Sequence, residues 1–492
     1  MASEVELRKI ETDIPARMDR LPWARWHWLI VIGLGTVWIL DGLEVTIVGA
    51  MSEALKSGDT GLGLSSSDVG LAGAVYVAGA CLGALFFGQL TDRFGRKKLF
   101  MLTLGVYIFA TVLTAFSMNP MWYFAARFLT GAGIGGEYAA INSAIDELIP
   151  AAYRGRIDVA INGSFWIGAA VGALLTIPLL DPTVIDQSYG WRLAFGLGAI
   201  LGVGVLLVRR YVPESPRWLF IHGREDEGER IVEQIEQTIH DETGERLPAV
   251  SETITIRQRK TIGLVLIAKT VFTMYPRRTI LCFSLFVGQA FLYNAFFFTY
   301  GDTLTTFLGV GETGWYLAIF AASNFIGALA LSPLFDSVGR VRMIAGTYIL
   351  SGVLLGAVGF FLGSVTAVTL TIAGAVIFFF ASAGASSAYL TASEVFPMET
   401  RALCIAFFYA IGTAVGGISG PLLFGRLIEN ASASGDITGI AFGYFLGAAL
   451  MIAGGIVAIF LGVKAEGQSL ESIAKPLTAE DDAQTPDAKA AV

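Results

Sequence analysis

The chain of 492 residues is 54% hydrophobic and only 15% charged, with a mean hydropathy of +0.65. That balance excludes the several soluble domains its length alone would imply. The net charge is −8, and nothing in it points to nucleic acid as a partner.

Residues 1–25 are polar, show no cleavable signal peptide and read as a cytoplasmic segment. Six apolar stretches long enough to cross a bilayer follow within 26–210, near 26–50, 69–90, 98–117, 121–149, 157–180 and 191–210. A polar connection, 211–278, separates them from six more within 279–463, near 279–307, 313–334, 341–363, 367–396, 402–424 and 439–463. In that connection 224–237 has the pattern of a short amphipathic helix, and 261–275 is apolar but too short to span, so it reads as interfacial. The tail, 464–492, is polar and expected to be disordered from Pro476.

Lysine and arginine set the orientation. They crowd the N-terminal segment and the connections after spans 2, 4, 8 and 10, which places both termini in the cytoplasm; for a bacterial chain the membrane expected is the cell (inner) membrane. Cys81, Cys282 and Cys404 all fall within spans, so no disulfide framework is expected.

The two halves echo each other. G-Q-L-T-D-R-F-G-R-K-K (88–98) returns as S-P-L-F-D-S-V-G-R-V-R (332–342), and D-E-L-I-P-A-A-Y-R-G (146–155) returns as S-E-V-F-P-M-E-T-R-A (393–402). P-E-S-P-R-W-L (213–219) has a fainter echo at 465–473. The offsets of 244, 247 and 252 residues are nearly constant, as a six-plus-six duplication requires. Duplicated halves around a midplane site are the plan of alternating-access transporters.

On these motifs the chain resembles the major facilitator superfamily over residues 20 to 475, with P-E-S-P-R-W-L and E-V-F-P-x-E-x-R-A similar to its sugar-porter branch. The resemblance implies an all-α fold of twelve transmembrane helices in two pseudo-symmetric six-helix bundles. It also implies salt bridges that latch the cytoplasmic face, here among Asp92, Arg93, Arg96, Glu147, Arg154, Glu214, Arg217, Asp336, Arg340, Glu394 and Arg401. The alternative is that these charges only anchor topology. Against it, the acidic partners recur with the same spacing in both halves, which topology does not require.

Span 1 raises a sharper question, because V-W-I-L-D-G-L-E-V-T-I-V (37–48) carries two carboxylates. A charge at bilayer depth costs about 2.5 to 3.5 kcal/mol on insertion scales. At 1.5 Å per residue Glu44 lies about 9 Å, and Arg127 of span 4 about 8 Å, below the outer surface. Arg127 is the one arginine well inside a span; Asp41 is one turn deeper than Glu44, and Glu137 sits about 15 Å below Arg127. These four residues are either a fixed strut or a proton-coupling site in which a carboxylate changes partner with conformation. The D-G-L-E string resembles the D-G-x-D of aromatic-acid/proton symporters, and a first-helix acid with a fourth-helix arginine is similar to proton-coupled sugar porters. Both resemblances imply coupling, with Glu44 the first choice as carrier and Asp41 its competitor.

Candidate substrate contacts follow the sugar-porter resemblance. Gln289, Tyr293, Asn294 and Tyr300 of span 7, Tyr389 of span 10, and Asn162 with Trp166 of span 5 stand near that branch's positions, with departures at Gly288 and Leu292. Phe296 to Phe298 read as lipid-facing packing. Spans 1, 4, 7 and 10 are expected to line the cavity. No Walker A, H-E-x-x-H or G-x-S-x-G string is present, so neither enzyme, cofactor nor metal is expected. The reading is a monomeric secondary transporter that moves a sugar, polyol or aromatic or other organic acid with protons. A uniporter, an exporter and a non-transporting sensor remain alternatives.

Overall fold

The computed structural model describes residues 9–474 apart from 52–53, 56, 59–60, 65, 182, 210–211, 251–252, 258–268, 311–313 and 398–399. Span 1 is one helix, Arg25–Ala50, followed by Ser66–Phe94, Arg96–Ala115 and Pro120–Leu148 as spans 2 to 4. Span 5 is two helices, Arg154–Gly163 and Phe165–Leu180, and span 6 is Gln187–Arg209. The second half repeats the plan: Pro276–Leu308, Gly314–Ser337, Arg340–Phe361 and Ala367–Val395 form spans 7 to 10. Span 11 runs Arg401–Gly412, a π-turn at Thr413–Gly417, then Ile418–Ser434; span 12 is Ala441–Leu461. The fifth helix of each half is thus irregular about ten residues in.

Eleven of these twelve are apolar enough to cross a membrane by composition. The twelfth is span 4, which carries Arg127, Glu137 and Glu147. Its start is well made: Pro120 occupies the first helical turn and the Asn119 side chain accepts from the Trp122 N–H at 2.9 Å. Proline at that point removes no hydrogen bond the helix needs, so the chain turns into the bilayer without loss.

The exterior is what a lipid solvent demands. Large apolar side chains such as Leu82, Phe109, Ile200, Phe360 and Phe460 are more than half exposed. The three cysteines are buried. Of the connection between the halves, the amphipathic stretch is longer than its sequence implied, forming a helix over Glu225–Thr243 that buries Val232, Ile235 and Ile239. Residues 261–268 and the tail beyond 474 lie outside the described residues.

The N-terminal segment has structure that its sequence did not announce. Lys9–Thr12 pairs antiparallel with Ile254–Arg257, and a short helix, Ile14–Asp19, leads into span 1. Arg17 bonds Glu236 and Glu229 at 2.7 Å, and Arg20 bonds Glu236 at 2.5 Å. This strap therefore ties the chain start to the inter-bundle helix.

Candidate functional site: a charged interior in the first bundle

Span 1 seats against span 5 by backbone contact. A Cβ on Gly42 would lie 1.8 Å from the Phe165 carbonyl oxygen, and one on Gly168 1.8 Å from that of Ile39. Only glycine allows this approach, so the G of D-G-L-E packs while the two acids beside it reach spans 2, 3 and 4. Glu44 meets Arg127 at 2.5 Å, both side chains about 1–2% exposed. Tyr107 donates to the other Glu44 oxygen at 3.4 Å, and the guanidinium lies 4.5 Å from the Tyr76 ring centroid. The estimate that Glu44 and Arg127 share a depth is realised as a direct pair.

Asp41 is held differently. Its two oxygens accept hydrogen bonds from the Tyr76 hydroxyl, at 2.8 Å, and the Tyr138 hydroxyl. Its partners are neutral phenols, not a cation. Glu137 has a cation the sequence reading overlooked: Arg209, at the end of span 6, is 2% exposed and lies 3.2 Å from it. Arg127 is therefore not the one arginine inside the bundle. Thr103 donates to Glu137 at 3.3 Å, and Arg209 caps the Phe100 ring at 4.6 Å. Among the described residues, the middle of the bundle thus holds the Glu44–Arg127 and Glu137–Arg209 pairs, with Asp41 bonded by phenols.

Around Asp41 the two bundles meet through aromatic rings. Tyr138 stacks on Trp38 at 4.5 Å and meets Tyr409 of span 11 edge-on at 4.7 Å. Tyr389 stands 5.5 Å from Trp38 and 5.0 Å from Phe286. Trp166 and Tyr293 form a second contact between bundles at 5.4 Å. Spans 1, 4, 5, 7, 10 and 11 contribute rings to these contacts.

Other candidate contacts are engaged inside their own bundle. Asn162 donates to Asn142 at 3.1 Å and to the Asp158 carbonyl, Asn294 to the Ala290 carbonyl, and Tyr293 to Asn324 at 2.8 Å. Tyr300 shares a hydrogen bond with Thr371, and Gln289 is buried. Phe296 corrects the lipid-facing expectation: it is 3% exposed and packs on Tyr300, Phe320 and Phe378. The side chains of Phe297 and Phe298 lie outside the described residues. Trp38, Tyr76, Tyr138 and Tyr409 were missed, although Trp38 stands one turn before Asp41 and Tyr138 directly follows Glu137.

At the face bearing the basic connections, Arg96 pairs with Glu147 at 2.5 Å, and Ser215 also donates to Glu147. Glu214 accepts from the backbone N–H of Arg96 at 2.9 Å and of Lys97. Its carboxylate fills the space beside Gly95, whose φ of 94° suits only glycine. Burial pushes the Glu214 carboxyl above its ordinary range. The second half repeats this: Arg340 pairs with Glu394 at 2.9 Å and Asp336 at 2.7 Å, with Glu466 beside Gly339.

Several bonds then cross between the halves. Asp336 accepts from the Arg156 N–H at 3.0 Å, Arg401 approaches Glu147 at 3.9 Å, and Arg154 donates to the Gln468 carbonyl. Two acids that the sequence did not single out join them: Asp19 pairs with Arg154 at 3.1 Å, and Glu471 with Arg217 at 3.4 Å. Arg93 stays outside this network, exposed with its guanidinium over Phe94. The Asp92 side chain lies outside the described residues. These bonds join the two halves at the basic face.

Residues 30–476 match the sugar (and other) transporter family. The chain belongs to that family. Among its relatives, the niacin transporter NiaP of Acinetobacter baylyi is 27% identical over 464 residues, covering 94% of this chain and 99% of the relative. The 4-hydroxybenzoate transporter PcaK of the same organism is also 27% identical, covering 85% and 88%. The solved proton:xylose symporter XylE, bound to 6-bromo-6-deoxy-D-glucose, superposes with a TM-score of 0.71 at 17% identity, over 91% of this chain and 98% of that one. This member of the sugar (and other) transporter family is thus a multi-pass transporter with the major facilitator fold, and not an enzyme.

Proposed function

We propose that this transporter carries a planar aromatic monocarboxylate together with a proton, and that Asp41 is the protonation site. The observation that carries the reading is the convergence of Trp38, Tyr138, Tyr389 and Tyr409 from four spans on a carboxylate bonded only by phenols. Rings of this kind offer faces and edges to an aromatic solute. The Trp38 indole N–H, buried without a hydrogen-bond partner, is a donor for a substrate oxygen. One proton with one monoanion moves no net charge, which suits an interior whose cations are already paired. The niacin and 4-hydroxybenzoate relatives support this substrate class.

The sequence favoured Glu44 as carrier; the partners of the two acids favour Asp41. Protonating Glu44 leaves Arg127 buried without its counter-ion, which costs about 3–5 kcal/mol. Protonating Asp41 strands nothing, because a carboxylic acid and two phenols can still hydrogen-bond one another. Glu44 then orients Arg127 over Tyr76, and Tyr76 orients Asp41.

On this reading the basic face is cytoplasmic, with both termini there, and the inter-bundle bonds of Asp336, Glu147 and Gln468 form its latch. Transport opens that latch as the outer side closes over the substrate. Uptake of labelled nicotinate, 4-hydroxybenzoate, xylose and myo-inositol into proteoliposomes, with and without an inward proton gradient, tests both parts. Gradient-driven accumulation of an aromatic acid is expected, lost in Asp41→Asn while exchange persists. Concentration of a sugar instead, or accumulation that survives Asp41→Asn, overturns it.

A further inference from the structure

We propose that the N-terminal strap is a clamp on the latch, with Asp19 as its positioning residue: Asp19 holds Arg154 and Arg217 of the first half where they meet the tail of the second. The proposal rests on the latch at the basic face and adds what governs it from outside the two bundles.

The strap's one helix, Ile14–Asp19, is short, and its pattern serves two sides. Ile14 and Met18, four apart, are 1% and 2% exposed and anchor it. Arg17 and Arg20, three apart, reach the helix Glu225–Thr243, where Arg17 bonds Glu236 and Glu229 and Arg20 bonds Glu236. Asp19 lies between them in sequence, about 100° to 200° away around the helix axis, and turns toward the first bundle. One of its oxygens accepts from the Ala151 N–H at 3.3 Å and from Arg154 at 3.1 Å, and the other lies 3.9 Å from Arg217.

Both arginines also face the second half. Arg154 donates through its other terminal nitrogen to the Gln468 carbonyl at 3.4 Å, and the Arg217 Nε lies 3.4 Å from Glu471. Each guanidinium is thus held on one side by the strap and on the other by the tail that follows span 12. A guanidinium is a rigid fork, so fixing one of its edges aims the other. Both arginine side chains are 1% exposed. Taking an acid from a buried cation is costly, whereas taking it from one that water reaches costs little. The joined state of the two halves therefore needs Asp19 more than the parted state, in which water enters between them. Asp19 biases the halves toward contact.

The strap precedes span 1 and belongs to neither six-helix bundle. It is held by the pairing of Lys9–Thr12 with Ile254–Arg257, by Ile14 and Met18, and by the bonds of Arg17 and Arg20 to Glu236. Every one of these holds lies away from Arg154 and Arg217. Freeing the strap therefore takes Asp19 from the latch without changing any residue of a span. The chain start and the connecting helix together set how readily the basic face parts.

The test uses spin labels at Lys98→Cys and Arg342→Cys, exposed sites at the basic ends of spans 3 and 9. The three native cysteines are buried. Distances between the labels are measured in nanodiscs at neutral pH, with the thermal-unfolding midpoint as a second reading. Asp19→Asn should raise the parted-to-joined ratio at the basic face by about five- to tenfold, and Asp19→Glu should restore most of the parent distribution. Glu236→Gln, which touches neither Arg154 nor Arg217, should raise the ratio by about threefold and serves if Asp19→Asn does not fold. Combining the two changes should do no more than Asp19→Asn alone, because both act through one element. Glu471→Gln reads the latch itself and should raise the ratio at least as much. If Glu471→Gln raises it while Asp19→Asn and Glu236→Gln lower only the midpoint, the strap is a structural tie and not a clamp, although the latch stands. If Asp19→Asn acts and Glu236→Gln does not, Asp19 works locally and the strap's control is overturned. If Glu471→Gln leaves the ratio unchanged, the latch itself is misassigned and this proposal falls with it.

Discussion

The interiors of the two bundles differ far more than their ends. Span 4 of the first carries Arg127 and Glu137 in its middle, each in a buried pair. Span 10, its counterpart, has Ser382, Ser386, Tyr389 and Thr391 there, and its one acid, Glu394, belongs to the basic-face cluster. The clusters themselves are near copies: Arg96–Glu147 with Glu214 in one half, Arg340–Glu394 with Glu466 in the other. The duplicated halves share these basic-face clusters and differ in their interiors. The first bundle buries ion pairs beside its rings, whereas span 10 of the second carries hydroxyls and a ring in place of mid-span charge.

The largest expected effect breaks that comparison at its charged side. Arg127→Ala leaves Glu44 buried without its cation and should destabilise the first bundle by about 3–5 kcal/mol. A marked fall in thermal-unfolding midpoint in detergent checks this. The double change Glu44→Gln with Arg127→Met should recover most of the loss, because it removes the stranded charge; no recovery would mean that the pair is not the cause.

In the second bundle the corresponding weak point is packing. Phe296→Ala opens a cavity among Tyr300, Phe320 and Phe378. Lipid tails are as apolar as the core, so the transfer part of the usual cost is missing, and about 2 kcal/mol is expected. A midpoint shift as large as that of Arg127→Ala would show that the second bundle is no more tolerant than the first.

Asp336 sharpens the comparison at the basic face, because it bonds both its own Arg340 and the Arg156 N–H across the interface. Asp336→Asn should lower overall stability by only about 1 kcal/mol while raising modification of cysteines placed at that face. Unchanged labelling would leave Asp336 with a local role alone.

The smallest effect concerns the N-terminal strap. Burial raises the Glu236 carboxyl, but the hydrogen bonds from Arg17 and Arg20 outweigh it and leave the group below its ordinary range. A depressed carboxyl stabilises the fold above its unfolded pKa and loses that contribution as pH falls through the folded value. The strap should therefore hold at neutral pH and loosen only below about pH 4. Hydrogen exchange of residues 13–19 at stepped pH reads it out; loosening between neutral and mildly acidic pH would point to another group.

Much of this protein was legible in its sequence because a bilayer allows few solutions. Backbone groups in lipid must be satisfied within each segment, so apolar length sets the spans, basic residues mark one face, and near-constant offsets disclose the halves. Even the Glu44–Arg127 pair followed from rise per residue, since two helices crossing the same slab place their residues at countable depths. Depth, however, does not say which way a side chain turns. That Glu137 meets Arg209, that Asp41 meets two phenols, and that Phe296 faces inward depend on helix rotation and on backbone approaches such as Gly42 against Phe165. Apolar helices in a lipid solvent look alike on every side, with no water to separate an inner face from an outer one. Only the packing of helices within the first bundle could decide which acid was left to the phenols.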